Sequence, residues 1–462
     1  MTHSEVRWRG RRTWLPVLVC GLLAAFDIGA EPRVMPARPA RVQALQELAQ
    51  RLGAPGARVD DPCVTPSRGT GCARTALAPF FESLDALAAG SASGPVVIEA
   101  FGNSLIAGDR IVDVLREDLG LAFGDAGRGV LLVDRMAPYG GRSRTAFSAA
   151  GWQPRTLGEL RAPPLPFGIT GVYHVATAAK ARGRFKLEGE SRGTLWWLDV
   201  PHGGALTVSS GGQVLARTEP SGDGRARATH FELPAGAKSV DVVAEGKGAV
   251  VQGVVLQHSR PGIVLDMLGV PSADAGLYAR MDDAILRSQL AERAPRLLLF
   301  FLGGNESKRL EWKRMDLEKL RSDLRTLLGR ARLASPGSAC MVVGPMDAVS
   351  DARGPNKTRT QRPFLEAVIA AEREVALAQG CAFFDTFTAM GGKGSLLRFH
   401  AAGFMHVDMV HPRGKGLDLL GHFVTDALFR AWVETPSPAG GVASLTTGTP
   451  APLPVPTAEA TP

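Results

Sequence analysis

Cysteine is scarce in this 462-residue sequence, five in all, with no CxxC pair and no His/Cys cluster. That spacing offers nothing resembling the ligand set of a structural zinc site, so no metal site is expected. The apolar run from Trp14 to Phe26 is too short to span a bilayer comfortably. The formal charge is +8, and about +6 remains when the six charged residues of the first thirty (Glu5, Arg7, Arg9, Arg11, Arg12, Asp27) are set aside. The arginines are scattered, and no basic stripe is interleaved with aromatics, which argues against nucleic acid as a partner. The remaining charge carries only a weak bias toward an anionic polymer such as cell wall. The glycine-rich "FGDAGRG" lacks the lysine and spacing of a phosphate-cradling loop and reads as a structural turn or part of a site's rim.

What is present is the composition of a folded chain: 45% hydrophobic and 21% charged residues. The length suffices for two or three compact units with real cores. The arginines at 7, 9, 11 and 12, the apolar run and the small residues of "IGAEP" together have the layout of a secretory signal peptide. Residues 1–30 are therefore expected to be removed on export, with no membrane span afterwards. Cys20 lies inside the apolar run, so a lipoprotein cleavage site is not expected. Four cysteines then remain, which an exported chain can join as Cys63–Cys72 and Cys340–Cys381. Cys340 and Cys381 each open an apolar strand-like run, and two buried free thiols are an equally open reading.

Residues 31–75 form a Pro-, Arg- and Ala-rich extension with one helical stretch. From 76 to 165 the pattern is helix, strand "VVIEAFG" and helix 108–119. Between 166 and 258 short β-branched runs recur about every ten residues without helical period, as in a β-sandwich. From 259 to 433 strands alternate with helices: "GIVLDMLG", a helix over 272–293, "RLLLFFLGGN", then helix 313–332, strand 340–344, helix 361–379, strand 381–386 and helix 414–433. This predicts an α/β doubly wound, flavodoxin-like, mostly parallel sheet with an all-β sandwich inserted after its first βα unit. Residues 434–462, rich in Pro, Thr and Ala without apolar period, read as disordered.

In open α/β sheets chemistry gathers beyond the carboxyl ends of the strands, and four places put suggestive residues there. Ser104 follows the first strand, Gly269 ends "GIVLDMLG", Asn305 follows "RLLLFFLGG", and Asp408 and His411 share "HVDMVHPRG" before the last helix. A serine is a weak nucleophile until a base takes its proton, and imidazole titrates near the working pH. His411 is the candidate base, with Asp408 three residues away to fix its tautomer. The backbone N–H groups of Ser104 and Gly269 and the Asn305 side-chain amide are candidate donors to an oxyanion. Each residue alone has a plain structural reading, Ser104 and Asn305 as helix caps, Gly269 as a turn and His411 as a loop histidine.

The order "FGNSL", "DMLGVPSADAG", "GGNE", "DMVH" resembles the SGNH (GDSL-type) hydrolase family. With its long β insertion the chain is similar to secreted bacterial peptidoglycan O-acetylesterases, in which a sandwich of carbohydrate-binding type accompanies the catalytic fold. The resemblance implies a serine esterase removing small acyl groups, above all acetyl, from an acylated carbohydrate or cell-wall polymer, without a cofactor, in the periplasm, envelope or extracellular space. The same motifs serve an O-acetyltransferase on an envelope polysaccharide, and a carbohydrate-binding envelope protein with a decayed site is the non-catalytic alternative. Gly140 or Gly141 in "APYGGRSRTAF" competes with Gly269, and His406 competes with His411. Asn103 stands where the family usually has Asp, and Glu306 replaces another usual Asp. In the β module, Trp196, Trp197 and Tyr173 are candidate platforms for a sugar ring, although adjacent strand residues face opposite ways.

Overall fold

The main sheet is built from largely apolar strands, with Asp60, Glu99 and Asp266 as the charged exceptions. Its order is Val59–Asp60, Ala382–Phe384, Ala339–Val343, Leu297–Phe301, Pro95–Gly102 and Gly262–Gly269. The last five are mutually parallel, and Val59–Asp60 pairs antiparallel at the edge. Burial is unbroken along Gly262–Gly269, Leu297–Phe301, Ala339–Val343 and Ala382–Phe384, so both faces are covered. The covering helices include Ala78–Ala88, Arg110–Phe123, Leu317–Ala334, Leu365–Ala378 and Lys415–Glu434. This is the mixed α/β, mostly parallel architecture that the strand–helix rhythm predicts.

The computed structural model describes residues 33–67, 71–136, 143–159, 161, 163–350 and 359–436. The expected signal peptide, the alternative glycines at 140 and 141 and nearly all of the 434–462 tail lie outside the described residues. Among those described, no helix is long and apolar enough to cross a membrane.

Two antiparallel sheets make up the β module. One runs Ala226–Glu232, Arg192–Leu198, Val250–Gln257, Val172–Ala176 and Trp152–Thr156, with Gly129–Leu131 joined to Val250–Gln257. The other runs Gln213–Arg217, Leu206–Ser210, Ser239–Ala244, Arg182–Lys186 and Ser148–Ala150. Gly129–Leu131, Ser148–Ala150 and Trp152–Thr156 thus enter these sheets from before residue 166. They are short and carry too little alternation to read as strands alone. The helix expected over 272–293 is two, Ala275–Tyr278 and Asp283–Arg293. Asp282 breaks it, because its carboxylate accepts the N–H groups of Ala284 and Ile285 and starts a new helix.

Trp196 and Trp197 lie on one strand and face opposite ways, as do all strand neighbours. Trp197 enters the core between the two antiparallel sheets, whereas Trp196 enters the core shared with the main sheet and donates its N–H to Glu292 at 2.8 Å. Both are buried, as is Tyr173, so none of the three is a sugar platform. From Leu195 to Leu198 the strand is buried on both faces. Buried charge also ties the module to the main sheet. Arg293 pairs both nitrogens with Asp266 (2.7 and 3.0 Å) and reaches Gln257 at 2.7 Å, while the fully buried Arg144 donates to the Leu265 carbonyl at 2.9 Å.

Cys340 and Cys381 are bonded, with their Cα atoms 4.6 Å apart at the start of adjacent parallel strands. Cys63 and Cys72 are bonded across the hairpin Cys63–Pro66 and Cys72–Thr75. The Cys340–Cys381 bridge spans 41 residues, for which loop-closure entropy gives about 4 kcal/mol. We expect the Cys340→Ala/Cys381→Ala double variant to lose stability of about that size in urea unfolding. An unchanged midpoint would mean that the two cysteines do not constrain the unfolded chain.

Candidate active site

The first site residue sits where a strand hands over to a helix. Strand Pro95–Gly102 ends at Gly102, Asn103 follows, and Ser104 opens the short helix Ser104–Ala107. Asn103 is the cap: its side-chain oxygen accepts the Leu105 N–H at 3.0 Å. With the cap supplied by its neighbour, the half-buried Ser104 hydroxyl is left for other use. It lies 2.9 Å from His411 Nε2, across a sequence separation of 307 residues.

His411 is held by its own loop. Its Nδ1 is 2.8 Å from one Asp408 oxygen, while the other accepts the backbone N–H groups of Val410 (2.9 Å) and His411 (3.0 Å). Met409, between them, takes a positive φ of 57°, which folds the loop tightly enough for this reach. Burial works against ionisation of Asp408, but the hydrogen bond from His411 and the two backbone N–H groups hold its pKa below the usual carboxylate value. His406 takes part through its backbone, donating its N–H to the His411 carbonyl at 2.8 Å. The imidazole on the serine is His411. The chain hydroxyl–imidazole–carboxylate can take a proton from Ser104 while the carboxylate supports the resulting charge.

Asn305, half-buried in the first turn of helix Gly304–Glu311, donates one side-chain N–H to the Ala273 carbonyl at 2.7 Å. An amide nitrogen carries two hydrogens, so one remains available. Glu306 beside it is buried and accepts the N–H groups of Gly303 (2.9 Å) and Ala275 (3.0 Å). Gly304 lies against Asn103, whose side-chain nitrogen is 3.7 Å from where a Cβ on Gly304 would be. The helix carrying Asn305 therefore abuts the turn carrying Ser104.

Gly269 is brought to the serine helix in another way. It pairs in register with Gly102, and a Cβ there would stand 2.2 Å from the Ala107 nitrogen. Only glycine lets strand and helix touch. Its N–H points at the Met267 sulfur, 3.3 Å away.

Sequence reasoning missed Tyr278, which is fully buried. Its hydroxyl accepts the Gly102 N–H at 3.1 Å and lies 2.6 Å from the Gly102 carbonyl and 2.5 Å from that of Leu268. It clamps both strand ends beneath the serine. It also missed Arg362, which donates to the Gly304 carbonyl and the Ser307 hydroxyl at 3.2 Å each. No local signal marks either residue, since each acts on a segment remote in sequence.

Residues 240–419 match the GDSL-like Lipase/Acylhydrolase family, a span that holds Gly269, Asn305, Asp408 and His411 but not Ser104. Of solved structures, a peptidoglycan O-acetylesterase is similar at 20% identity and TM-score 0.63, covering 77% of this chain and 96% of its own. A family two carbohydrate esterase from Clostridium thermocellum is similar at 11% identity and TM-score 0.26, covering 61% of this chain and 99% of its own. A search of curated protein sequences returns no match. Residues 240–419 thus resemble a GDSL-like lipase/acylhydrolase domain, and the chain shares its fold with the peptidoglycan O-acetylesterase.

Two outcomes follow from this geometry. Asn305→Ala removes a donor beside the serine, and we expect kcat for an activated ester to fall about 100-fold with little change in the unfolding midpoint. Glu306 concerns stability. Burial first, then the charge of Asp274, push its pKa up to about 7, against the N–H groups of Ala275 and Gly303. The folded chain then holds a proton that the unfolded chain releases near the usual carboxylate value, so Glu306 favours folding at low pH and less so as pH rises through 7. In Glu306→Gln, stability relative to wild type should rise between pH 4.5 and 7 and level off above. A pH-independent difference would disprove that assignment.

Proposed function

We propose that this chain is an exported serine esterase that removes small acyl groups, acetyl above all, from a carbohydrate polymer such as peptidoglycan. The observation that carries the reading is the unbroken hydrogen-bonded chain from the Ser104 hydroxyl through His411 to Asp408, at 2.9 and 2.8 Å. His411 Nε2 takes the hydroxyl proton as Ser104 Oγ attacks the ester carbonyl carbon. The oxyanion of the tetrahedral intermediate is met by the Ser104 N–H, at a helix start where negative charge is favoured, and by the free hydrogen of the Asn305 amide. Collapse breaks the bond to the sugar oxygen, which takes the proton from His411 and leaves as an alcohol. Water, deprotonated by the same imidazole, then adds to the acyl-enzyme and frees the acid.

The family match and the shared fold with a peptidoglycan O-acetylesterase support the polymer and the acyl group. The two disulfides support an oxidising compartment. The purified protein is expected to hydrolyse p-nitrophenyl acetate and to release acetate from O-acetylated peptidoglycan. Ser104→Ala should lower both rates about 10^4-fold or more while circular dichroism and the unfolding midpoint stay unchanged. Equal rates for variant and wild type would remove the esterase reading.

A further inference from the structure

The helical turn Ala275–Tyr278 touches both halves of the candidate active site. The loop that leads into it is fastened to the helix Gly304–Glu311, which carries Asn305. Asn305 donates to the Ala273 carbonyl at 2.7 Å, and Glu306 accepts the Ala275 N–H at 3.0 Å. One turn further along the same helix, Arg309 donates to the Ser272 carbonyl at 3.0 Å and forms an ion pair with the buried Asp274. Asp274 in turn caps the helical turn by accepting the Leu277 N–H at 2.8 Å.

The other end is fastened to the strand that leads to Ser104. The Tyr278 hydroxyl accepts the Gly102 N–H at 3.1 Å, two residues before the serine, and its single proton faces the Gly102 and Leu268 carbonyls. The Gly102 carbonyl also accepts the Val270 N–H at 2.8 Å. The hydroxyl therefore sits in the fork where the strands Pro95–Gly102 and Gly262–Gly269 end. The Tyr278 ring meets Phe101 edge-on at 5.7 Å, a contact that phenylalanine would keep, so the hydroxyl is the part a Phe cannot replace. Three residues separate Ala275 from Tyr278, about 4.5 Å of helix. A link so short, held at each end, passes a displacement of one end on to the other.

The two donors assigned to the oxyanion, the Ser104 N–H and the Asn305 amide, follow different strands and must converge on one oxygen atom. We propose that Ala273–Tyr278 is the strut that sets the distance between them, and that Tyr278 is a positioning residue acting through it. The inference rests on the esterase reading of the site.

The test is a double-mutant cycle in steady-state hydrolysis of p-nitrophenyl acetate, with wild type, Tyr278→Phe, Asn305→Ala and the double variant. Tyr278→Phe should lower kcat about tenfold and leave KM unchanged, because misplaced donors weaken the transition state more than the bound ester. In the Asn305→Ala background the same change should lower kcat less than about twofold, since no amide is left to align. An equal loss in both backgrounds would mean that Tyr278 supports only the serine turn or the fold, and would overturn the strut, as would an unchanged kcat in Tyr278→Phe. Arg309→Gln loosens the opposite end from a partly exposed position and should show the same dependence on Asn305. It decides the matter if circular dichroism shows that Tyr278→Phe does not fold. A Ser104→Ala rate equal to wild type overturns the esterase reading and this inference together, whereas a Ser104-dependent rate with additive losses overturns the strut alone.

Discussion

The close approach of the short helix Ser104–Ala107 to the ends of two parallel strands governs the rest of the site. Gly102 and Gly269 pair across those strands, and side chains at either position would collide with Ile106 or with the backbone of Ala107. Because both are glycine, the helix rests directly on the sheet edge, and the serine at its start is fixed to the rigid core. Tyr278 then ties Gly102 to Leu268 from below. A nucleophile mounted on such a base can be reached by an imidazole on a loop more than 300 residues away, since only the loop has to adjust. Preorganisation of this kind is what an oxyanion-stabilising site requires.

Much of this was legible in the sequence because the parallel strands are buried on both faces and so read as continuous apolar runs. "VVIEAFG", "GIVLDMLG" and "RLLLFFLGG" announce themselves, and the residues just after them are automatically at the sheet's carboxyl edge. Ser104 and Asn305 could be named on that ground, and Asp408 and His411 from their three-residue spacing in the loop before the last helix. Gly269 could be named too, but not the close packing against Ala107 that requires a glycine there. Tyr278 and Arg362 were invisible for a different reason. Their partners are backbone groups of Gly102 and Gly304, and nothing local in the sequence encodes a contact between distant backbone atoms.

The β module shows how a covered sheet removes a candidate. Adjacent strand residues face opposite ways, which left one of Trp196 and Trp197 open as a sugar platform. Here the strand Arg192–Leu198 is covered twice, by the second sheet on one side and by the helices of the main unit on the other. A sheet used as an internal wall leaves no aromatic free. Across the join, Arg293 reaches Gln257 while paired with Asp266, and Arg144 donates to the Leu265 carbonyl, so breaking either contact leaves a buried charge under-satisfied. They fix the module against the very strand that ends in Gly269.

Glu306 explains how Asn305 can be aimed without being immobilised by substrate. The two neighbouring residues stitch one helix start to one loop: Asn305 donates to the Ala273 carbonyl and Glu306 accepts the Ala275 N–H. Two contacts of opposite polarity, two residues apart on the loop, fix both its distance and its rotation, whereas either alone would leave a hinge. The ionised form is the one that accepts best, yet burial and the Asp274 charge work against it; burial first, then Glu306, raise the pKa of the buried Glu372 as well. Protonating Glu306 weakens an acceptor in the stitch even as it relieves desolvation. Stability and the aim of the Asn305 amide are therefore set by opposite protonation states of one side chain. That conflict is tolerable only because the amide's own hydrogen bond, to Ala273, does not titrate.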